Sequence, residues 1–404
     1  MDIKDIERAA KRLKDVIHYI PVGESRTFSE MSGAQLYLKY ENQQKTGSFK
    51  VRGAYNKLAC LVERGEKPAS IVASSAGNHA QGVAYAAALL GIKAKIVMPK
   101  NAPIAKVSAT EGYGAEAVLH GGGFDDAYEK AVAISKEEDA VFVHAFNDDD
   151  VIAGQGTVGL EILHDIPAVD VIVVPAGGGG LLAGISCCVK EINPRVRMIG
   201  VQAEGADAVC RSFKSHGLVA TEHANTIADG IAVKSPGMLA LNLINKYADD
   251  VVTVTDEEIA SAILLLIERT KQVVEPAGAA SVAAAISGKL NLGLGGMKTV
   301  CVLSGGNIDV SFIHTIVERG LVSRGRQLTL RTRVADTPGS LEKFAKITGL
   351  CGANIMTIAH DRHRPGLQIG EAVLHADLEV SGFEHGRQVI DMLRQNGYPA
   401  DLET

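Results

Sequence analysis

The sequence predicts an α/β protein of the parallel-sheet kind, followed by a smaller α+β unit of ferredoxin-like order. Three observations predict it. Between about Ser70 and Ile316, short runs rich in β-branched residues alternate with stretches of roughly 10–15 residues that carry helical periodicity. These runs are continuously apolar rather than alternating, the pattern of strands buried on both faces of a parallel sheet. Near Arg324-Gly325-Arg326 the character shifts, and the order becomes strand, helix, strand, strand, helix, strand, as in a split βαβ unit.

Taken in order, IVAS leads into the helical GNHAQGVAYAAALLG, and AKIVMP into APIAKVSATEG. AEAVLH, VFVHAF, VDVIVVP, RMIGVQA, DVVTV and TVCVLS complete the strand candidates of the larger unit. Periodicity leaves open whether they form one sheet or two. QLTLRTRVAD, PGSLEKFAKITGLCG, ANIMTIAHDR, LQIGEAVLHADLEV and HGRQVIDMLRQNG then supply the smaller unit. A boundary between about 321 and 327 divides the chain into 1–322 and 327–404. No repeat or low-complexity tract is visible.

Composition narrows the function. The 404 residues carry 41 Lys and Arg against 47 Asp and Glu, a net charge of −6, with no Trp. No basic stripe with interleaved aromatics is present, which disfavours nucleic acid as a partner. The six cysteines form no C-x-x-C pair, so reduced thiols in the cytoplasm are expected. The charged N-terminal segment is not a signal peptide. Val171 to Val189 carries no charge, but Pro175 and four glycines interrupt it. It therefore reads as a strand, a glycine loop and a buried helix, not a membrane span.

Four segments carry chemistry. Gly177-Gly178-Gly179-Gly180-Leu181 lies between an apolar strand and a helix, where bare amides and the helix dipole suit a phosphate. The plain alternative is a tight turn. A competing dinucleotide fingerprint, Gly178-x-Gly180-x-x-Ala183 with Glu204 at the end of the next strand, keeps a nicotinamide oxidoreductase in view. Lys50, in the small-residue segment KTGSFKVRGA, adds the amine that an aldehyde cofactor needs beside a phosphate cradle. In Ser74-Ser75-Ala76-Gly77-Asn78-His79, the amides before a helix form a second anion site, to which Ser75 and Asn78 add polar side chains. His79 reads equally well as a packing residue. Ser304, before Gly305-Gly306-Asn307, either simply ends its strand or places a hydroxyl where ligands of such sheets bind.

KTGSFKVRGA, SSAGNHAQG, AGGGGL, IADGIAV, VVEPAGA and LSGGN, in this order, resemble the fold-type II pyridoxal-phosphate enzymes over essentially the whole chain. Within them the chain is most similar to the threonine dehydratases (threonine ammonia-lyases) with one C-terminal ACT domain; DTPGSL and GANI resemble that domain. The resemblance implies a tryptophan synthase β-like catalytic unit of two α/β subdomains and pyridoxal 5'-phosphate as cofactor. It implies that Lys50 holds the cofactor covalently and later removes the substrate Cα proton, and that Phe49 packs on the ring. Asn78 would bind the ring hydroxyl, Gly177 to Leu181 the phosphate, and Ser304 the pyridine nitrogen. Ser75, with the amides of Ala76 to His79, would hold the substrate carboxylate. Gly230 would approach the cofactor through its backbone. Glu275 would face it, or simply begin a helix.

The implied reaction is deamination of L-threonine to 2-oxobutanoate and ammonia, with weaker action on L-serine. A serine-selective ammonia-lyase or a serine racemase of the same fold is the nearest alternative. Ala76 stands where related racemases carry a proton-transferring serine, which favours elimination. Cys210 replaces an acid near Glu204, so no divalent metal site is expected. The resemblance also implies a homo-oligomer, dimer or tetramer, and a branched-chain amino acid as effector of the C-terminal unit; a purely structural cap is the alternative. His144 to Phe146 are candidates to border the substrate pocket, Asp148 to Asp150 read as a helix-start acidic cluster, and His360, Asp361 and His363 as a solvated loop.

Overall fold

The computed structural model describes residues 1–292 and 296–402, so the last two residues of the expected C-terminal unit, 403 and 404, lie outside the described residues. The chain divides into two compact units, Met1–Asp309 and Val310–Thr404.

The first unit contains β1 (Gly23–Glu24), β2 (Gln35–Lys39), β3 (Ser70–Ser74), β4 (Lys93–Met98), β5 (Glu116–Leu119), β6 (Val141–Phe142), β7 (Val171–Pro175), β8 (Arg197–Ala203), β9 (Asp250–Val254) and β10 (Lys298–Val302). They build two sheets, which answers the question the periodicity left open. One has the order β1-β2-β10-β7-β8-β9 and the other β5-β4-β3-β6. Every pairing is parallel except β1 with β2. Strand β7 is buried along its whole length, as its unbroken apolar run requires. β2 has no counterpart among the expected strands. It joins the sheet through a register with β10 that pairs Gln35 with Lys298, a partnership local pattern cannot reveal. VFVHAF forms strand only at Val141–Phe142; its remainder turns away.

Helix packing around the sheets depends on missing side chains. Helix Gly180–Ile192 crosses helix Asp149–Asp165 so closely that a Cβ on Gly184 would strike the Ile152 carbonyl and stand 2.7 Å from the Gly156 nitrogen. A Cβ on Gly154 would lie 2.6 Å from the carbonyl oxygen of Arg52, in helix Lys50–Glu63. A Cβ on Gly82, in helix Asn78–Leu90, would stand 3.1 Å from the Val51 nitrogen. The start of helix Lys50–Glu63 is thereby wedged between two other helices.

The second unit begins with helix Val310–Ser323 and continues with β11 (Gln327–Ala335), helix Ser340–Leu350, β12 (Asn354–Asp361), β13 (Glu371–Glu379), helix Phe383–Gln395 and β14 (Asp401–Leu402). The order β12-β13-β11-β14, with antiparallel pairings, is the split βαβ arrangement. Leu330, Leu374, Leu378, Phe344, Val389 and Leu393 bury one face of this sheet under its helices. His360 and Asp361 end β12 rather than lying in a loop. Among the described residues no helix is long and apolar enough to cross a membrane. The uncharged segment from Val171 resolves into β7, a glycine turn and helix Gly180–Ile192.

Because the neighbours of Gly184 are backbone atoms that cannot step aside, Gly184→Ala is expected to destabilise the first unit by about 1–3 kcal/mol. Chemical denaturation of variant and parent compares the two directly; equal midpoints would refute the close crossing.

Candidate active site

A cavity of about 1000 Å³ opens at the carboxyl ends of β3, β7 and β10, where the segments beginning at Ser75, Gly177 and Ser304 leave their strands. Lys50, Phe49, Ser75, Asn78, Gly177, Gly178, Gly179, Gly180, Leu181, Gly230, Glu275 and Ser304 all line it. Segments far apart in sequence thus meet around one space.

Local bonds explain the meeting of Lys50 with Ser304. The Phe49 N–H donates to the Ser304 carbonyl at 3.1 Å, and the Gly306 N–H to the Gly47 carbonyl at 2.8 Å. Ser48 and Gly305 form an isolated antiparallel bridge between these contacts. Gly47 permits the turn with φ of +73°, and helix Lys50–Glu63 begins immediately after it. The Lys50 amine enters the cavity, 3.1 Å from the Ala145 carbonyl that accepts its hydrogen bond and 5.2 Å from the centre of the Phe49 ring.

The glycine loop opens helix Gly180–Ile192, with Gly179 as its cap at φ +96° and no side chain capping the first turn. Its first amides are the donors a helix leaves unused, aimed where an anion would sit. The glycines also have packing reasons that local reading did not foresee. A Cβ on Gly178 would enter the Phe146 ring, and one on Gly180 would stand 3.0 Å from the Phe146 Cα. Phe146 itself lines the cavity and meets His144 edge-on, with ring centres 4.7 Å apart.

Asn78 starts its helix beside Glu275. Its amide nitrogen donates to both Glu275 oxygens, at 2.8 and 2.9 Å, while its own oxygen accepts from Asn307 at 2.6 Å. Glu275 stands at the cap position of helix Pro276–Ile286, as the helix-start reading expects, and it also lines the cavity. Ser75 takes its place through its hydroxyl, which accepts from the Gly77 N–H at 3.1 Å. His79 is buried, with Nε2 2.9 Å from the Val143 carbonyl. Asp148 caps helix Asp149–Asp165 by accepting from the Val151 N–H, as the acidic cluster there suggested.

Burial controls the charges. It lowers the Lys50 amine to a pKa of about 8, against an opposing pull from Glu275. It pushes His79 down to about 3 and His144 to about 4, the proximity of Lys50 adding to both. It raises Glu275 to about 7, although the Asn78 hydrogen bonds favour the ion. Near neutral pH both imidazoles are therefore uncharged, and the wall presents a lysine that readily becomes a free amine.

These residues fit pyridoxal phosphate. Ser74 Oγ, His79 Nδ1 and Gln155 Nε2 are buried, line the cavity and have no hydrogen-bond partner among the described residues, so the space is equipped for a polar guest. An amine of low pKa stands across from a glycine cup at a helix start. Of the dinucleotide fingerprint, Gly178 and Gly180 line the cavity but its acid does not. Glu204 lies outside the cavity lining and pairs with Lys289 at 3.3 Å, so it is not placed to hold a ribose.

Local reading singled out neither Lys106 with Asp229 nor Lys234 with Asp125, ion pairs of 2.8 Å whose members line the cavity. Only the IADGIAV motif hinted at one of them. Asn307 lies inside LSGGN, but nothing local to that motif signals its bond to Asn78.

Comparison with known proteins points the same way. The family described as pyridoxal-phosphate dependent enzyme matches residues 13–305. The L-threonine ammonia-lyase of Thermotoga maritima is 47% identical over 396 residues, 98% of each chain. Among solved structures, threonine deaminase isoform 2 of Solanum lycopersicum aligns with a TM-score of 0.74 at 33% identity, covering 79% of this chain and 94% of its own. Maize serine racemase aligns equally well, with a TM-score of 0.74 at 35% identity, covering 80% and 98%.

At pH 7.5, about a quarter of an amine with pKa 8 is neutral, against about a thousandth for an ordinary lysine. The rate at which cofactor-free protein takes up pyridoxal phosphate through Lys50 is therefore expected to rise with pH and level off around a midpoint of about 8. A stopped-flow pH series checks this, and a midpoint near 10.5 would refute the effect of burial.

Proposed function

The chain belongs to the family of pyridoxal-phosphate dependent enzymes, and from that premise we infer that it is an L-threonine ammonia-lyase, converting L-threonine to 2-oxobutanoate and ammonia and acting less well on L-serine. The observation that carries this reading is the identity to the Thermotoga L-threonine ammonia-lyase across nearly the whole of both chains.

In the proposed site, Lys50 would hold the cofactor covalently, with Phe49 against its ring and Ser304 at its ring nitrogen. Gly177 to Leu181 would hold its phosphate; Asn78, fixed by Glu275 and Asn307, would meet the ring hydroxyl, and Gly230 would approach through its backbone. Bound there, pyridoxal phosphate supplies an electron sink that acidifies the Cα–H bond of the amino acid joined to it. Ser75 and the amides before helix Asn78–Leu90 orient the substrate carboxylate. Once released, Lys50 Nζ accepts the Cα proton, and burial, by lowering its pKa to about 8, gives it a usable fraction of free amine near neutral pH. His79 and His144, uncharged, add no competing cation beside it. Departure of the β-hydroxyl as water, followed by uptake of water and loss of ammonia, completes the balance. Ala76 lines the cavity and offers no side-chain acid or base, which favours elimination over racemisation.

The C-terminal unit is the proposed regulatory part. Gly339, at φ +88°, caps helix Ser340–Leu350 without a side-chain bond, and Asn354 opens β12, so DTPGSL and GANI offer amides and a polar group to a small amino acid. The effector inferred is branched-chain, such as isoleucine or valine, acting through contacts in a homo-oligomer. Free cysteines, five of the six buried, suit a cytoplasmic enzyme.

Two measurements test these readings. Product analysis over a panel of L-threonine, L-serine and D-serine should give 2-oxobutanoate fastest, and Lys50→Ala should lower turnover by at least about 10³-fold and abolish the visible cofactor band; a colourless parent, or full activity in the variant, would refute the assignment. Calorimetry of the intact enzyme with isoleucine, valine and leucine should show binding that shifts the threonine saturation curve, a response lost on truncation after Ser323. No heat and no shift for any of the three would leave the unit a structural cap.

A further inference from the structure

Two residues beyond Lys50 stands an arginine that solvent does not reach. Arg52 is 0% exposed, and all five of its guanidinium N–H groups are engaged. Nε donates to Glu41 Oε2 at 2.8 Å, and Nη2 to Glu41 Oε1 at 2.7 Å and Glu161 Oε2 at 3.0 Å. Nη1 donates to Glu161 Oε1 at 2.7 Å and Thr157 Oγ1 at 3.1 Å. Lys39, equally buried, donates to Glu161 Oε2 and to the Ile20 carbonyl, each at 2.5 Å. Two cations and two carboxylates thus balance. They come from β2, from the turn that follows it, from the first turn of helix Lys50–Glu63 and from helix Asp149–Asp165.

Such a cluster is a poor device for stability alone. Buried ion pairs recover their desolvation cost only in part, and well-packed apolar side chains often match them. A doubly bidentate guanidinium supplies direction instead: it holds carboxylates in one plane and at one angle. Helix Lys50–Glu63 needs such a constraint. Its cap residue, Phe49, makes no side-chain cap bond, and no acidic residue stands in its first turn. Arg52 occupies that turn. Side chains two apart on a helix point to nearly opposite sides, so Lys50 faces the cavity while Arg52, absent from its lining, reaches the core behind it. Turning the helix enough to move the amine would pull Arg52 off both carboxylates.

We propose that Arg52, gripped by Glu41 and Glu161 with Lys39 behind them, is a positioning residue that sets where the Lys50 amine stands in the cavity. It acts on the reaction through that amine and touches neither substrate nor cofactor. The inference rests on Lys50 being the reacting amine, which borohydride tagging of the parent enzyme, read by peptide mass, tests separately.

The experiment is Arg52→Lys in the holoenzyme, which keeps the charge and loses the planar fork. Displacement of a reacting group by about 1 Å can cost about 10²-fold in rate. The turnover number per bound pyridoxal phosphate should therefore fall by about 10–100-fold while KM for L-threonine stays within about threefold. The visible circular dichroism of the bound cofactor should weaken with it. An unchanged turnover number per bound cofactor and an unchanged dichroic band, with only a lower melting temperature, would overturn the proposal. If Arg52→Lys does not accumulate as folded holoenzyme, Glu41→Gln decides the matter by the same readouts, since it preserves volume and removes one charged partner. A fall in turnover per bound cofactor of about threefold or more at unchanged KM supports the proposal, and an unchanged value overturns it.

Discussion

A lysine amine loses its proton readily near neutral pH only where water is kept from it, and the first unit holds Lys50 in such a place. Lys50 stands at the start of a helix pressed between two others, at a place where Gly82 and Gly154 lack the side chains that would hold those helices apart. The same exclusion of water lowers His79 and His144 and raises Glu275, so one physical cause sets the charge of the whole cavity wall. Charges that could not be neutralised this way are paired: those of Arg52 and Lys39 face Glu41 and Glu161 behind the site.

Preorganisation follows from this dryness. In a medium of low polarity, a hydrogen bond to Asn78 or an amide of the glycine loop is stronger than it would be in water, and a misplaced group costs more. The chain therefore fixes its polar groups before any ligand arrives. Asn78 is held from two sides, by Glu275 and Asn307, and Phe146 presses on the glycine loop. Ser74, His79 and Gln155, which contribute to the cavity lining, each keep a buried polar atom with no hydrogen-bond partner among the described residues.

The two units differ in what they bury. The first encloses a deep cavity between segments drawn from its whole length, whereas the second covers one face of an antiparallel sheet with helices and carries its candidate ligand groups at turns.

Short-range chemistry was legible in the sequence. A lysine among small residues, glycines between a strand and a helix, and a serine at a strand end mark themselves as candidates through neighbours a few positions away, and the strand-helix order of the C-terminal unit is read in the same way. The tertiary structure alone decided what depends on distant partners. It separated the strands into two sheets, inserted β2 beside β10, set Phe146 against the glycine loop and moved Glu204 away from the cavity to Lys289. It also joined Asn78 to Glu275 across 197 positions and Arg52 to Glu161 across 109. Such pairs leave no periodic trace along the chain, because the match that selects them is one of shape and charge in three dimensions, not of spacing in one.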